Sequence, residues 1–279
     1  MLKIIPPLII ASGVGGMGEY LSLINKRYLG AYTLKTVTFK EKKGNLPPRM
    51  RSGDFYLLNR IGLENPGIDA FLQKLNDGEY DEIFSNTSVI ASFGGDTLEE
   101  YIKIAEIIKP YVERFIAVEF NFSCPNVTQG GLSTMTKREA WMQTLLRIRK
   151  ILPDTLLSAK IGIEGCFVEK AVADVRKSGW NCVTLLNTVR GLFIENGHPI
   201  AGGLSGPIMK PITLRAVYET KKLFKDIYVI ASGGIMDEKD AEEMLIAGAD
   251  AISLGTALFK DPHVVERIGR YLLKRSENP

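Results

Sequence analysis

Eight short apolar runs rich in β-branched residues alternate with segments of helical periodicity along most of the chain. This alternation restricts the fold more than any other feature. The runs are PLIIAS, AYTLKTVTF, SVIASFG, RFIAVEFNF, LLSAKIG, CVTLLNT, IYVIASGG and AISLGTAL. Helical periodicity with capping residues covers 96–109, 136–151, 167–178, 211–224, 237–247 and 262–274. Continuously apolar strands belong in a parallel sheet that helices cover on both faces. No repeat, low-complexity segment or linker divides the 279 residues. The expected architecture is therefore α/β, a (β/α)8 TIM barrel forming one domain over 1–279, with a doubly wound open sheet as the rival.

Composition narrows the function classes. Apolar residues make up 45% and charged residues 24%, as in ordinary soluble globular proteins. The formal charge of +3 is spread over Lys and Arg interleaved with Asp and Glu, so no basic tract suggests nucleic acid or a membrane surface. The N-terminal IIPPLII is too short and too Pro-interrupted for a signal peptide, and nothing approaches a membrane span. The three cysteines, Cys124, Cys166 and Cys182, make neither a disulfide framework nor a zinc or iron–sulfur spacing. With two histidines in unrelated places, no metal centre is expected, and the reading is a reduced, cytoplasmic chain. Cys166, on a helix, and Cys182, in a strand, read as core packing; His198 and His263 read as surface or capping residues.

Two segments break the alternation: 40–63 and 189–210, both long and turn-rich. Structureless loops of that length are uncommon in compact domains unless functional, and barrels build active sites from loops after strands. The strand ends deliver Ala11 and Ser12, Lys35 and Thr36, Ser92, Asn121 to Cys124, Lys160, Asn187 and Thr188, Ser232 to Gly234, and Gly255 and Thr256. Singly these are turn formers, caps or halves of ion pairs; a barrel gathers all of them around one mouth. ASGGIMDE and SLGTALFK place glycines between a strand and a helix at the seventh and eighth strands, where backbone N–H groups can face a phosphate. A tight βα turn is the simpler alternative. GVGGMG at 13–18 matches the dinucleotide fingerprint, but the next strand supplies Lys35, Thr36 and Thr38 where that fingerprint needs an acid. A Rossmann domain is rejected, and any redox cofactor is better read as flavin mononucleotide (FMN) held by its single phosphate.

NFSCPNVTQGG places a thiol, Cys124, between Asn121 and Asn126 on a turn-rich loop. A packing cysteine would sit more naturally inside the apolar run before it. An inert buried cysteine is the alternative reading.

Taken together, ASGVGGMGEY, TLKTVTFKEKKGNLPPRM, LNRIGLENPG, NFSCPNV, LLNT, GGLSGPIMKPI, ASGGI and LGTA resemble the class 1 dihydroorotate dehydrogenases, most closely their NAD-linked branch. The likeness covers essentially the whole chain. It implies FMN-dependent oxidation of (S)-dihydroorotate to orotate in pyrimidine biosynthesis. The implied FMN site comprises Ser12, Lys35, Thr36, Ser92, Asn121, Lys160, Leu186, Gly206, Gly233, Gly234, Gly255 and Thr256. The implied substrate site comprises Lys35, Asn59, Arg60, Ile61, Gly62, Leu63, Asn121, Asn126, Asn187 and Thr188, with Cys124 in the place of the catalytic base. It also implies electron transfer to a separate subunit carrying FAD and an iron–sulfur cluster, or to fumarate, and assembly as a homodimer or heterotetramer.

The residue types suit that chemistry. Dihydroorotate must lose a proton from C5, beside a carbonyl, and a hydride from C6. A thiol with a pKa near ~8.5 is a workable base once nearby cations lower it. Carboxamides match a ring edge that alternates C=O and N–H. The chain departs from the family pattern at Arg60, where a small residue is usual, at Ser92, where an asparagine is usual, and at IGIEG after Lys160, where Ser-Pro is usual. Two rivals are a flavin dehydrogenase of a dihydrouracil-like substrate, against which Ile61 argues, and a non-redox phosphate-binding barrel.

Overall fold

The structure, a computed structural model, describes residues 4–123 and 137–277. Its strands are β1 Leu8–Ile10, β2 Ala31–Thr33, β3 Val37–Thr38, β4 Met50–Ser52, β5 Leu57–Asn59, β6 Ser88–Gly94 and β7 Ala117–Asn121. They continue as β8 Leu157–Ile161, β9 Cys182–Leu185, β10 Val189–Glu195, β11 His198–Ser205, β12 Tyr228–Ser232 and β13 Ala251–Leu254. The described helices are α1 Ile68–Asn76, α2 Asp81–Asn86, α3 Leu98–Ile108, α4 Arg138–Ile151, α5 Val168–Lys177, α6 Lys210–Leu223, α7 Glu238–Ile246, α8 Ala257–Lys260 and α9 Val264–Glu277.

The parallel strands run in the order β2-β1-β13-β12-β9-β8-β7-β6-β3, and β2 also pairs with β6, which closes the sheet. Since β2 and β3 both lie against β6, with Ala31 opposite Ser88 and Val37 opposite Phe93, they are two halves of one stave. The result is the expected eight-stave barrel. The run AYTLKTVTF is interrupted at its centre, where Lys35 N donates to Gly16 O at 2.8 Å and Ser12 Oγ donates to Leu34 O at 2.8 Å. The glycine-rich turn at 13–18 leads into a short 3-10 turn, Glu19–Leu23, rather than the helix a dinucleotide fold requires.

Period-two alternation sorts each stave into an outer face against helices and an inner face. Ile9, Ala31, Ile90, Ala117, Cys182, Ile230 and Ala251 form an apolar floor. Two residues further along, the interior turns polar at Thr33, Ser92, Glu119, Thr184, Ser232 and Ser253, with Ala11 of the β1 stave the apolar exception. On β7 the sequence Ala117, Glu119, Asn121 climbs from floor to mouth. On the outer face Phe120 and Phe122 pack among Tyr101, Trp141 and Trp180, with Phe122 and Tyr101 ring centroids 4.7 Å apart. Such pairs add about 0.5–1.5 kcal/mol each beyond area burial. They anchor the stave that carries Asn121.

The segments 40–63 and 189–210 are not structureless. They contribute β4, β5, β10 and β11 to an antiparallel sheet in the order β10-β11-β5-β4. Leu58, Phe193 and Ile200 form its own small core, while Leu192 and Ile194 face outward. Helices α1 and α2 were also absent from the sequence expectation, although Ile68, Phe71, Leu72 and Leu75 bury one face of α1. Cys166 corrects another expectation: it lies ahead of α5, half-buried against the core, not on a helix. Cys182 is buried in the floor, and His198 and His263 are exposed. No helix among the described residues is long and apolar enough to cross a membrane.

Candidate active site

A cavity of about 550 Å³ opens at the C-terminal mouth of the barrel, beneath the antiparallel sheet. That lies within the roughly 300–1,000 Å³ range of small-molecule and cofactor sites. Its wall contains Ser12, Lys35, Thr36, Asn121, Lys160, Leu186, Gly206, Gly233, Gly234, Gly255 and Thr256 from the expected cofactor set. From the expected substrate set it contains Asn59, Ile61, Gly62, Leu63, Asn187 and Thr188. Ser92 and Arg60 are not in the wall, and Cys124 and Asn126 fall outside the described residues.

Ser92 lies one layer below, in a ladder of hydroxyls. Ser12 Oγ is 2.9 Å from Thr36 Oγ1, which is 2.9 Å from Ser92 Oγ. Ser92 Oγ donates to Glu119 Oε1 at 3.1 Å, and Thr184 Oγ1 donates to Glu119 Oε2 at 2.7 Å. Glu119 is only 4% exposed, so the two hydroxyls satisfy a carboxyl group that water cannot reach. Sequence reading overlooked Glu119. Its signal was the alternation itself: standing two residues before Asn121, it has to share the inner face.

The carboxamides at the mouth are mutually oriented. Asn187 Nδ2 donates to Asn121 Oδ1 at 3.0 Å and to Ser123 O at 3.1 Å. Ser123 N also donates to Asn121 Oδ1, at 3.4 Å. Asn121 therefore presents its amide nitrogen as a donor, while Asn187 Oδ1, which accepts from Thr188 N at 2.9 Å, keeps one lone pair. Tyr101 Oη holds the strand end by donating to Asn121 O at 2.7 Å.

Lys160 is 7% exposed and lines the cavity, yet its amine makes no ion pair or hydrogen bond among the described residues. A buried cation aimed into a cavity is a ready site for an anionic or strongly accepting ligand. Two and three staves along, after β12 and β13, the backbone N–H groups of Gly233, Gly234, Gly255 and Thr256 donate to no protein acceptor among the described residues. Gly233 and Gly234 adopt φ of 121° and 78°, conformations that favour glycine. Helix α7 begins only at Glu238, and Asp237 caps it by accepting from Asp240 N at 2.9 Å. The turn after β12 thus presents its own N–H groups and not the helix end that was expected. The Lys160 amine and the nest of N–H groups after β12 and β13 fit the isoalloxazine edge and the phosphate of FMN.

Residues 61–65 form the lid side of the cavity. Leu63 has φ 55° and Gly62 φ 80°. A branched residue in that region costs of order 1–2 kcal/mol, and such strain tends to mark ligand sites. Buried Asn65 holds the turn: its Oδ1 accepts from Thr38 N at 3.0 Å and Gly67 N at 2.9 Å, and its Nδ2 donates to Leu63 O at 2.6 Å. The N–H groups of Gly62 and Leu63 donate to no protein acceptor among the described residues, whereas Arg60 N is committed to Arg49 O at 2.8 Å. Asn65 was a further omission from the sequence reading, signalled only by its place before Pro66 and Gly67.

Burial pushes the Cys182 thiol up to about 12, and burial with Asp174 and Glu169 nearby pushes Cys166 up to about 11. Neither supplies a thiolate near neutral pH.

A family profile described as dihydroorotate dehydrogenase matches residues 1–275. The chain is 55% identical over 274 residues to a Thermotoga petrophila protein named dihydroorotate dehydrogenase B (NAD(+)), catalytic subunit, covering 98% of this chain and 99% of that one. The chain belongs to the dihydroorotate dehydrogenase family. A Thermoanaerobacter protein of the same name is 37% identical over 290 residues, covering 98% of this chain and 91% of its own. Among solved structures, a dihydroorotate dehydrogenase from Eimeria tenella in complex with ferulenol superimposes with a TM-score of 0.79 over 97% of this chain and 81% of that one. At 23% identity that likeness speaks for the barrel alone.

Proposed function

We propose that this dihydroorotate dehydrogenase oxidises (S)-dihydroorotate to orotate at the barrel mouth with FMN as its resident cofactor. The observation that carries the reading is the buried Lys160 amine, without a partner among the described residues, lining the same cavity as the Asn121–Asn187 pair. Lys160 and the N–H groups of Gly233, Gly234, Gly255 and Thr256 would hold FMN. When bound, FMN supplies the hydride acceptor.

The chain's own residues supply orientation and proton transfer. Asn121 offers a donor and Asn187 an acceptor to the C=O and N–H edge of the pyrimidine. Lys35, with the N–H groups of Gly62 and Leu63, takes the substrate carboxylate. Cys124 removes the C5 proton while the C6 hydride leaves. Its position directly after Ser123, and the neutral state of both other thiols, support that role. Donors around C4 stabilise the developing enolate oxygen in a site shielded from water.

Relatives named as NAD-linked catalytic subunits support an electron-transfer partner bearing FAD and an iron–sulfur cluster. The substrate and the two free thiols Cys166 and Cys182 suit a reducing cytoplasm. Comparing turnover of dihydroorotate and dihydrouracil with an artificial acceptor tests the substrate. Apolar Ile61 in the wall predicts preference for dihydroorotate, and preference for dihydrouracil would refute the assignment.

A further inference from the structure

The glycine turn after β12 is held from behind by charged side chains outside the cavity wall. A methyl group on Gly234 would overlap the backbone nitrogen of Lys210, the first residue of α6, so the turn lies directly on that helix start. From there the Lys210 side chain crosses to α7, with Nζ 2.5 Å from Asp240 Oδ1 and 2.8 Å from Glu243 Oε2. The second oxygen, Asp240 Oδ2, accepts from Met236 N at 2.8 Å. One carboxylate thereby joins α6 to the outgoing limb of the turn. Asp237, capping α7 through Asp240 N, fixes the carboxylate's own backbone.

Two carboxylates outnumber the single Lys210 charge, so this amine is no anion site itself. What it contributes is geometry. Two successive positive-φ glycines have more accessible conformations than any other pair, and ordering them on ligand binding costs entropy. A turn already locked against α6 and α7 has its N–H groups aimed before the anion arrives.

We propose that Lys210, Asp240 and Glu243 are positioning residues that pre-organise the Gly233–Gly234 turn and thereby set the site's preference for phosphorylated over unphosphorylated flavin. This rests on the FMN reading above. The clamp acts only on the part of the ligand that carries the phosphate. Its loss therefore lowers FMN affinity without touching the contacts that riboflavin also makes.

The purified holoenzyme and its Lys210→Met and Lys210→Arg variants are equilibrated with equimolar FMN and riboflavin, and the retained flavins are separated and quantified. The wild type is expected to retain FMN in large excess. Lys210→Met is expected to lower the FMN-to-riboflavin ratio about tenfold, which is about 1.4 kcal/mol, and Lys210→Arg to restore most of it. An unchanged ratio in Lys210→Met, with the wild type still preferring FMN, overturns the clamp. A wild type without preference for FMN overturns the phosphate reading itself. Should Lys210→Met fail to fold, Glu243→Gln removes one arm of the clamp, and the same ratio decides.

Discussion

Asn187 Nδ2 donates to Asn121 Oδ1 at 3.0 Å, tying the segment after β9 to the end of β7 across the barrel mouth. With Ser123 N on the same oxygen, the Asn121 amide nitrogen is left to face a ligand. Asn121→Asp replaces that donor by an acceptor. Orotate should then bind at least about tenfold more weakly, ~1.4 kcal/mol, while FMN is retained. Titrating orotate against the flavin spectrum measures this, and unchanged affinity would remove Asn121 from the substrate site.

Glu119 should be a stability residue of unusual weight for a polar group. Glu119→Ala removes the acceptor of the Ser92 and Thr184 hydroxyls and leaves each with a single hydroxyl neighbour, Thr36 and Ser158. Losing these two buried hydrogen bonds to a carboxyl group should cost about 1–3 kcal/mol in all. Glu119→Gln keeps an acceptor and should cost less. Urea unfolding of the two variants gives the order, and equal stability of Glu119→Ala and wild type would show that the ladder carries no load.

How much of this was legible beforehand depended on which signal each residue obeyed. The staves were readable because their apolar runs are continuous, and the strand ends were readable because a barrel makes them converge. Glu119 escaped attention since one acid in RFIAVEFNF looks like a blemish until its register with Asn121 is counted. The antiparallel sheet escaped for a different reason. Gly191 and Gly202 sit where strands pack closely, and a Cβ on Gly202 would overlap Asn59 O, so composition mimicked a loop. Ser92 and Arg60 took their expected roles from family position alone, and the hydrogen bonds of Ser92 and of the Arg60 backbone are committed elsewhere.

Alkaline pH should weaken the fold through Cys182. Its folded value, about 12, lies above the ordinary thiol value of 9.0, so the native state holds a proton that the unfolded chain releases. The associated stability is complete below about pH 9 and is lost as pH rises toward 12. Cys182→Ala should therefore show a shallower fall in stability over pH 9 to 11, by up to one proton per molecule. Parallel slopes for variant and wild type would contradict this.

Lys160→Met removes the buried cation from the cavity wall. Flavin affinity should fall by about 1.5–3 kcal/mol, the range for hydrogen bonds to charged groups, and the midpoint potential of bound flavin should become more negative. Spectroelectrochemistry reads both effects, and an unaltered potential with full flavin content would exclude Lys160 from the cofactor's environment.

Anaerobic mixing of the purified protein with (S)-dihydroorotate, followed through the flavin absorbance, tests the central claim most directly. The wild type should be yellow and bleach rapidly. Cys124→Ala should hold FMN and orotate yet bleach about 100-fold or more slowly, as loss of a general base requires. A colourless wild type, or a Cys124→Ala variant that bleaches at the wild-type rate, would contradict the account.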